Sequence, residues 1–308
     1  MEKNFEPLKE AQRIKQSICK PKDMNKLINV VAYHSNSQRQ QILNSYKTLY
    51  NSNLLDDLKQ ELSGNFLKTV IALFYTPVDY DCYNLNKALK GLSTNKDTLI
   101  EILSTRSNKR ITEIKIRFPQ MFEGKNLIKV INSETSGFFK NILIKLLEVE
   151  RAENQHPNEN ECEEYAKKLY ETINSKKDIM QETYINIFTQ KSKDEFVLIT
   201  QKYFKLYNIT ILETIEKLFS GDIRKAFKAI TYALLSPSEY FAYRINKALK
   251  SFTINDSNLI RIIVSRDEVD IERIKRYYLQ LYHVDLYTGI KEVISGDYRN
   301  LLLCLIGQ

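Results

Sequence analysis

Hydrophobic residues return at helical spacing along the whole chain. In one segment Leu99, Ile102 and Leu103 are followed by Ile111 and Ile114, so apolar side chains recur every three or four residues. No stretch shows the sustained apolar–polar alternation that is typical of a half-buried strand. The pattern therefore predicts an all-α protein.

Two short markers divide the chain into repeats. A serine followed by glycine recurs with spacings of 73, 84 and 75 residues, at Ser63-Gly64, Ser136-Gly137, Ser220-Gly221 and Ser295-Gly296. A second marker recurs with spacings of 72, 85 and 75 residues, at His34-Ser35, Arg106-Ser107, Lys191-Ser192 and Arg266-Asp267. The markers predict four units, with about ten additional residues in the middle. Each serine of the first marker precedes an apolar run, so we expect its hydroxyl to cap a helix N-terminus.

A longer period of 160 residues relates the second and fourth units. The segment Asn86–Lys90 returns as Asn246–Lys250, and Pro77 returns as Pro237 ahead of the same predicted helix. Residues 150–161 are polar and carry no apolar periodicity, which predicts an exposed linker between two halves. The resulting division is a tail at 1–7, repeats at 8–76 and 77–149, the linker at 150–161, and repeats at 162–236 and 237–308.

Composition favours helices and excludes several classes of protein. The 308 residues include only 8 Gly and 6 Pro, too few for the turns of a sandwich or barrel. No apolar run is long enough to span a membrane, and the charged N-terminus is unlike a signal peptide, so we expect a cytoplasmic protein. The four cysteines and three histidines have no metal or redox spacing, and no catalytic motif stands out. We therefore expect no enzymatic activity.

The positive charge is concentrated in the first half of the chain. Residues 1–150 carry 23 Lys and Arg against 16 Asp and Glu, whereas residues 151–308 carry 23 against 22. A basic half is typical of proteins that meet lipid headgroups, nucleic acid or an acidic protein surface, and charge alone does not choose among them. Tyr277 and Tyr278 lie among basic residues, but their helical spacing favours packing, so nucleic acid is not expected as a partner.

Several motifs resemble those of the annexin family. They are Lys90–Asn108, which contains a Lys-Gly-Leu-Ser-Thr loop, Ser35–Ile42, which resembles the start of the family's second helix, and Leu54–Phe66. The resemblance extends from about residue 8 to the end and indicates a diverged, calcium-poor member, similar to protist annexins such as alpha-giardins. It implies four repeats of about five helices each, arranged as a curved, α-superhelical disc. It also implies calcium-dependent docking on acidic phospholipid.

The resemblance places a Ca²⁺ site in the second repeat. In the family, a glycine loop offers backbone carbonyls and a later acidic residue adds a carboxylate. The corresponding ligands here are the carbonyls of Leu89, Gly91 and Ser93 and the carboxylate of Glu134, 41 residues after Ser93. Ca²⁺ prefers six to eight oxygen ligands at ~2.3–2.6 Å, and an anionic headgroup can complete such a shell. The alternative is a loop that keeps its shape without binding metal.

The other repeats depart from this pattern. The first repeat keeps an acid at Glu61, but its loop has no glycine and contains Pro21, so Glu61 is a weak metal candidate, and helix packing or a surface ion pair is the alternative. In the third and fourth repeats Leu218 and Val293 replace the acid, although Glu292 adjoins Val293. These two sites are expected to be lost.

Lysines occupy the loops in place of the missing ligands. We expect them to contact acidic lipid directly, at Lys20, Lys22, Lys90, Lys96, Lys176 and Lys177. The alternative is that they are ordinary solvated loop residues.

Four charged residues match positions that line the family's central hydrophilic channel, namely Asp81, Glu101, Arg106 and Arg261. We interpret them as an ion-pair network that fixes the angle between halves, with ion conduction as the alternative.

The sequence thus predicts a monomeric protein at the cytosolic face of membranes, with Ca²⁺ as cofactor and an acidic phospholipid surface as partner. The alternative is a calcium-independent scaffold that binds a cytoskeletal protein.

Overall fold

The computed structural model describes residues 5–90, 94–148, 150–153 and 156–307. Across these residues the chain forms twenty α-helices and one short 3-10 helix, without a strand, which confirms the all-α prediction. The helices fall into four successive groups of five, one group for each repeat.

The first two groups contain helices α1 to α10. Their bounds are α1 Pro7–Ile18, α2 Met24–Ala32, α3 Asn36–Tyr50, α4 Leu54–Glu61, α5 Gly64–Phe74, α6 Pro77–Lys90, α7 Lys96–Thr105, α8 Asn108–Met121, α9 Leu127–Glu134 and α10 Gly137–Glu148.

The last two groups contain helices α11 to α20, and the 3-10 helix Thr172–Asn174 follows α11. Their bounds are α11 Glu159–Glu171, α12 Lys177–Gln190, α13 Lys193–Tyr207, α14 Ile211–Leu218, α15 Gly221–Leu235, α16 Pro237–Leu249, α17 Asp256–Arg266, α18 Ile271–Tyr282, α19 Leu286–Val293 and α20 Gly296–Ile306.

The helices form two compact units that do not coincide with the two halves of the sequence. One unit comprises Met1–Tyr80 and Phe241–Gln308, and the other comprises Asp81–Tyr240. In the first unit α5 packs on α17 and α20, and in the second α15 packs on α7 and α10. The first and fourth repeats therefore share one unit, and the second and third share the other.

The polar segment at 150–161 consequently lies within the second unit. Its Arg151 guanidinium donates to the carbonyls of Phe188 and Lys191 at the C-terminal end of α12. The side chain of Asn108 bonds the backbone of Arg151 in both directions, at 2.7 and 3.1 Å. The segment predicted as an exposed linker between two halves is thus anchored at Arg151, because a helix terminus leaves carbonyls that need donors. Burial lowers the pKa of Arg151 to about 10.

The second sequence marker caps the third helix of three repeats. The hydroxyls of Ser35, Ser107 and Ser192 each accept a backbone N–H from the first turn that follows. Ser35–Ile42 therefore begins the third helix of its repeat, whereas the resemblance implied the second. This bond satisfies one of the free amides that every helix leaves at its start.

The Ser-Gly marker works differently from the prediction. Ser63, Ser220 and Ser295 precede the fifth helices of their repeats, but none makes a side-chain cap bond. The glycine after each marker serine adopts a positive φ, at 63°, 60°, 57° and 67° for Gly64, Gly137, Gly221 and Gly296. The left-handed conformation is costly for residues with a Cβ atom. The turn therefore needs the glycine, and the predicted serine cap was wrong at these three positions.

The fourth repeat lacks the serine of the second marker and has Asp267 there instead. This residue is the C-cap that follows α17. Desolvation raises the pKa of its carboxyl to about 6, while the charge of Arg39 opposes the shift and that of Glu268 adds to it. The Arg39 guanidinium contacts Glu268 at 2.8 Å, so the charge of the half-buried Asp267 is only partly compensated. A negative charge at a helix C-terminus is also unfavourable.

Substitutions at one Ser-Gly marker test which residue the turn requires. We expect Gly221→Ala to lower the free energy of unfolding by about 1–2 kcal/mol, because a Cβ atom disfavours the left-handed backbone although nothing lies within 4 Å of it. Ser220→Ala is expected to change stability little, and Ser192→Ala, which removes a capping box, by about 1 kcal/mol. Urea unfolding of the three variants measures this, and a larger loss for Ser220→Ala than for Gly221→Ala would contradict it.

Stability should also depend on Asp267 between about pH 4 and 6. A carboxyl whose pKa is raised by folding favours the folded state fully below its unfolded pKa of 3.8, and this contribution disappears as the pH rises through 6. Asp267→Asn should therefore stabilise the protein at pH 7.5 by about 2–3 kcal/mol relative to its effect at pH 4. Urea unfolding of wild type and variant at both pH values measures the difference. If the free energies of unfolding of wild type and Asp267→Asn change equally with pH, the raised pKa of Asp267 is contradicted.

Candidate metal site

The candidate calcium loop of the second repeat connects the C-terminal end of α6 to the start of α7. Leu89 lies in the last turn of α6 with its side chain buried. Gly91 and Ser93, the other two predicted carbonyl ligands, lie outside the described residues. The amide of Asn95 donates to the carbonyl of Ala88 at 2.8 Å and closes the loop. Carbonyls at a helix C-terminus carry partial negative charge, which favours a cation nearby.

Folding brings the end of this loop to the predicted acid. Glu134 is the last residue of α9, and the hydroxyl of Thr94 donates to its backbone carbonyl at 3.1 Å. The side chain of Glu134 is exposed and forms no ion pair within the part of the chain that the structure describes. Sequence reasoning missed Thr94, although it stands just before Asn95, the N-cap of α7.

These residues fit a cation that binds mainly backbone oxygens. Among the described residues, no group of three or more His, Cys, Asp and Glu side chains could hold a metal. A hard cation accepts carbonyl oxygens as well as carboxylates. One free carboxylate beside the negative end of a helix is therefore a suitable partial ligand set, which backbone carbonyls of the loop would have to complete.

In the first repeat the acid at the corresponding helix end is bound by a lysine. The ammonium of Lys22 lies 2.9 Å from the Glu61 carboxylate and donates to the Glu61 carbonyl at 2.6 Å. Glu61 ends α4 just as Glu134 ends α9. The weak metal candidate Glu61 is thus in an ion pair, the alternative that the sequence left open.

The third and fourth repeats offer no carboxylate at this position. Leu218 and Val293 end α14 and α19, the helices that correspond to α4 and α9. In the third repeat α12 begins at Lys177, so the predicted loop there is a helix start. In the fourth repeat α16 ends at Leu249 and α17 starts at Asp256, and Phe252 between them is fully exposed.

The loop lysines differ in their surroundings. Lys20, Lys176 and Lys177 are exposed, and the exposed Lys90 lies 5.9 Å above the ring of Phe122. Lys22 is paired with Glu61. Lys96 forms a 2.9 Å ion pair with Asp222, which ties the start of α7 to α15.

Two members of the predicted ion-pair network meet inside the second unit. Both oxygens of Asp81 accept bonds from the Arg106 guanidinium at 2.8–3.1 Å, and both side chains are almost fully buried. Arg110, which the sequence did not single out, approaches Asp81 to 3.6 Å. Glu101 is buried on α7 of the same unit, whereas the buried Arg261 belongs to the other unit.

Breaking the buried pair should cost far more than replacing it. Arg106→Met is expected to lower the free energy of unfolding by about 3 kcal/mol, because Asp81 would keep a buried charge with only a distant arginine. The double variant Asp81→Leu/Arg106→Met should lose much less than the sum of its two single variants. Chemical denaturation of the four proteins measures the coupling, and additive losses would contradict a pair of this kind. Lys167→Met, in an exposed ion pair, provides a control with little expected change.

No helix among the described residues is long and apolar enough to cross a lipid bilayer.

Comparison with known proteins identifies the family. The sequence profile of the annexin family matches residues 9–73, 80–146, 163–230 and 240–305. Human annexin A7 is 36% identical over 306 residues, which cover 99% of this chain and 62% of that protein, so the chain spans less than two thirds of that relative. The structure of a point mutant of annexin A8 with an intact N-terminus matches with a TM-score of 0.95 and 30% identity, covering 100% of this chain and 97% of that one.

The predicted similarity to giardins is also found, at the level of the fold. The structure of alpha-14 giardin matches with a TM-score of 0.87 at 20% identity, covering 98% of this chain and all of that one. Annexins are generally calcium-dependent phospholipid-binding proteins, without enzymatic activity. The four profile matches follow the four groups of five helices, and on this ground the chain belongs to the annexin family.

Proposed function

We propose that this protein binds acidic phospholipid surfaces in a calcium-dependent manner, mainly through the second repeat. The observation that carries the proposal is the contact between Thr94 and Glu134, which holds the end of the loop beside an exposed carboxylate that forms no ion pair with any described residue. Three of the four repeats lack this combination. The first pairs its acid with Lys22, and the third and fourth have Leu218 and Val293 in place of the acid.

The residues that would hold Ca²⁺ divide into two groups. Glu134 would supply the carboxylate, and the carbonyl of Leu89 would supply an oxygen from the negative end of α6. The carbonyls of Gly91 and Ser93 complete the set that the family resemblance implies. Bound Ca²⁺ would supply positive charge that a single carboxylate does not neutralise, and a lipid phosphate can balance it.

Exposed lysines would add a weaker attraction that does not need calcium. Each basic residue close to an anionic membrane surface contributes about 1 kcal/mol, and this attraction decreases within a Debye length. Lys20, Lys90, Lys176 and Lys177 are exposed, whereas Lys22 and Lys96 are already paired with carboxylates. The proposal therefore retains the first four as lipid contacts. It places the protein, as a monomer, at the cytosolic face of membranes.

Sedimentation with phosphatidylserine-containing vesicles tests the proposal. We expect wild type to sediment in calcium and to remain in the supernatant in chelator, because the lysines alone bind weakly. Glu134→Gln keeps the shape of the side chain but removes its charge, so the calcium concentration for half-maximal binding should rise at least about tenfold, for ~1.4 kcal/mol lost. Glu148→Gln, the same change at an exposed position on α10, should behave as wild type.

Two other results would contradict parts of the proposal. Equal sedimentation in chelator would mean that lysines suffice, and replacing Lys20, Lys176 and Lys177 by glutamate should then abolish binding. No sedimentation of wild type under either condition would overturn membrane binding itself.

A further inference from the structure

The loops that follow the first helices of the first two repeats are capped and closed in the same way, although their sequences differ. Asp23 and Asn95 are the N-caps of α2 and α7, and each accepts a backbone N–H three residues later. The amide of Asp23 closes its loop on the carbonyl of Ser17 at 2.9 Å, as that of Asn95 does on Ala88. The residues just before these caps therefore occupy equivalent positions, and they are Lys22 and Thr94.

Both of these residues donate to the same carbonyl of their repeat. Thr94 donates its hydroxyl to the carbonyl of Glu134 at 3.1 Å, and Lys22 donates its ammonium to that of Glu61 at 2.6 Å. The ammonium has further donors and carries a charge, so it also binds the Glu61 carboxylate at 2.9 Å. A threonine hydroxyl cannot reach both groups or neutralise the acid.

The fourth repeat extends the comparison. Asn255 is the N-cap of α17, and its amide closes the loop on the carbonyl of Ala248 at 3.0 Å. The residue before this cap is Ile254, and the helix end that bears the acid in other repeats is Val293. The fourth repeat thus has apolar residues at both positions, whereas the first two repeats share the acid and differ in the residue before the cap, which is Lys in the first and Thr in the second.

We infer that Lys22 is a built-in cation that takes the place of an external one in the first repeat, and that the residue before the N-cap decides which cation the terminal acid receives. Lys22 neutralises Glu61 and ties the loop between α1 and α2 to the end of α4 permanently. Thr94 makes only the carbonyl contact and leaves Glu134 open to a metal ion. The second half of this inference rests on the proposed function, whereas the first half does not.

Two features of the first repeat support a permanent closure. The loop closed by Asp23 and Ser17 is one residue shorter than the one closed by Asn95 and Ala88, so it has one carbonyl fewer to offer to a metal. The ammonium also lies at the C-terminal end of α4, where positive charge interacts favourably with the helix dipole.

The first half is tested by amide hydrogen exchange in chelator, without lipid. Lys22→Met keeps the length of the side chain but removes its charge, and we expect several-fold faster exchange at the hydrogen-bonded amides of Cys19, Asp23 and Leu62. Glu61→Gln should produce a smaller increase at the same amides, because the carbonyl contact remains. Exchange in α17 and α20 reports on the unit as a whole and should not change. Wild-type exchange rates at Cys19 and Asp23 in the Lys22→Met variant would overturn the role of Lys22 as a built-in cation.

The second half is tested by calcium titration calorimetry with the metal alone. Thr94→Lys should place an ammonium at Glu134 and weaken calcium binding at least tenfold, whereas Thr94→Met, of similar length without charge, should weaken it much less. Equal calcium affinity in wild type and Thr94→Lys would overturn the inference, as would equal losses in the lysine and methionine variants.

The design separates the inference from the proposed function. If wild type binds no calcium even with phosphatidylserine vesicles present, the function fails, and the exchange experiment still decides the role of Lys22. If wild type binds calcium and Glu134→Gln does not, the function stands, and Thr94→Lys alone decides whether the residue before the cap selects the cation.

Discussion

The constraint on which this structure depends is the supply of donors for carbonyls at helix C-termini. Short helices end often, and every end leaves carbonyls without an intrahelical partner. Glycine, the usual C-cap, is scarce, and four of the eight glycines are used at the starts of the fifth helices. Basic side chains take over this role at buried helix ends. Arg39 donates to the carbonyls of Val31 and His34, and Arg151 donates to those of Phe188 and Lys191 at the C-terminal end of α12.

The same constraint connects the scaffold to the candidate site. In the first two repeats, the loop after the first helix approaches the end of the fourth helix. The last residue of that helix has a carbonyl that needs a donor, and its side chain is an acid. At Glu134 the hydroxyl of Thr94 binds only the backbone carbonyl. At Glu61 the ammonium of Lys22 binds both the backbone carbonyl and the side-chain carboxylate. The hydroxyl of Thr94 is one solution to a packing requirement that these repeats share, and the ammonium of Lys22 is another.

The sequence was sufficient for features that depend on periodicity and recurrence. Periodicity and recurrence predicted helices and four repeats, because repetition constrains all copies at once, whereas the proximity of the second loop to Glu134 was implied by the resemblance to annexins. The sequence could not show that the turn before α15 requires Gly221 rather than Ser220. Both residues recur together in the sequence, and only the positive φ of the glycine distinguishes their roles. Nor could it show that the first and fourth repeats share a unit, because contacts between distant segments leave no periodic signal.

Net charge is a poor guide to binding partners when contacts within the protein occupy several of its basic side chains. The chain carries +8, yet Arg39, Arg106 and Arg151 are committed to carbonyls and buried carboxylates. These three guanidinium groups are held by contacts within the protein, so they are not available for direct contact with an anionic surface. An anionic surface interacts with exposed, unpaired lysines only, so the placement of each cation determines membrane affinity. The lysines of one loop illustrate this: Lys22 is in an ion pair with Glu61, whereas Lys20, two positions earlier, is exposed and is a proposed lipid contact.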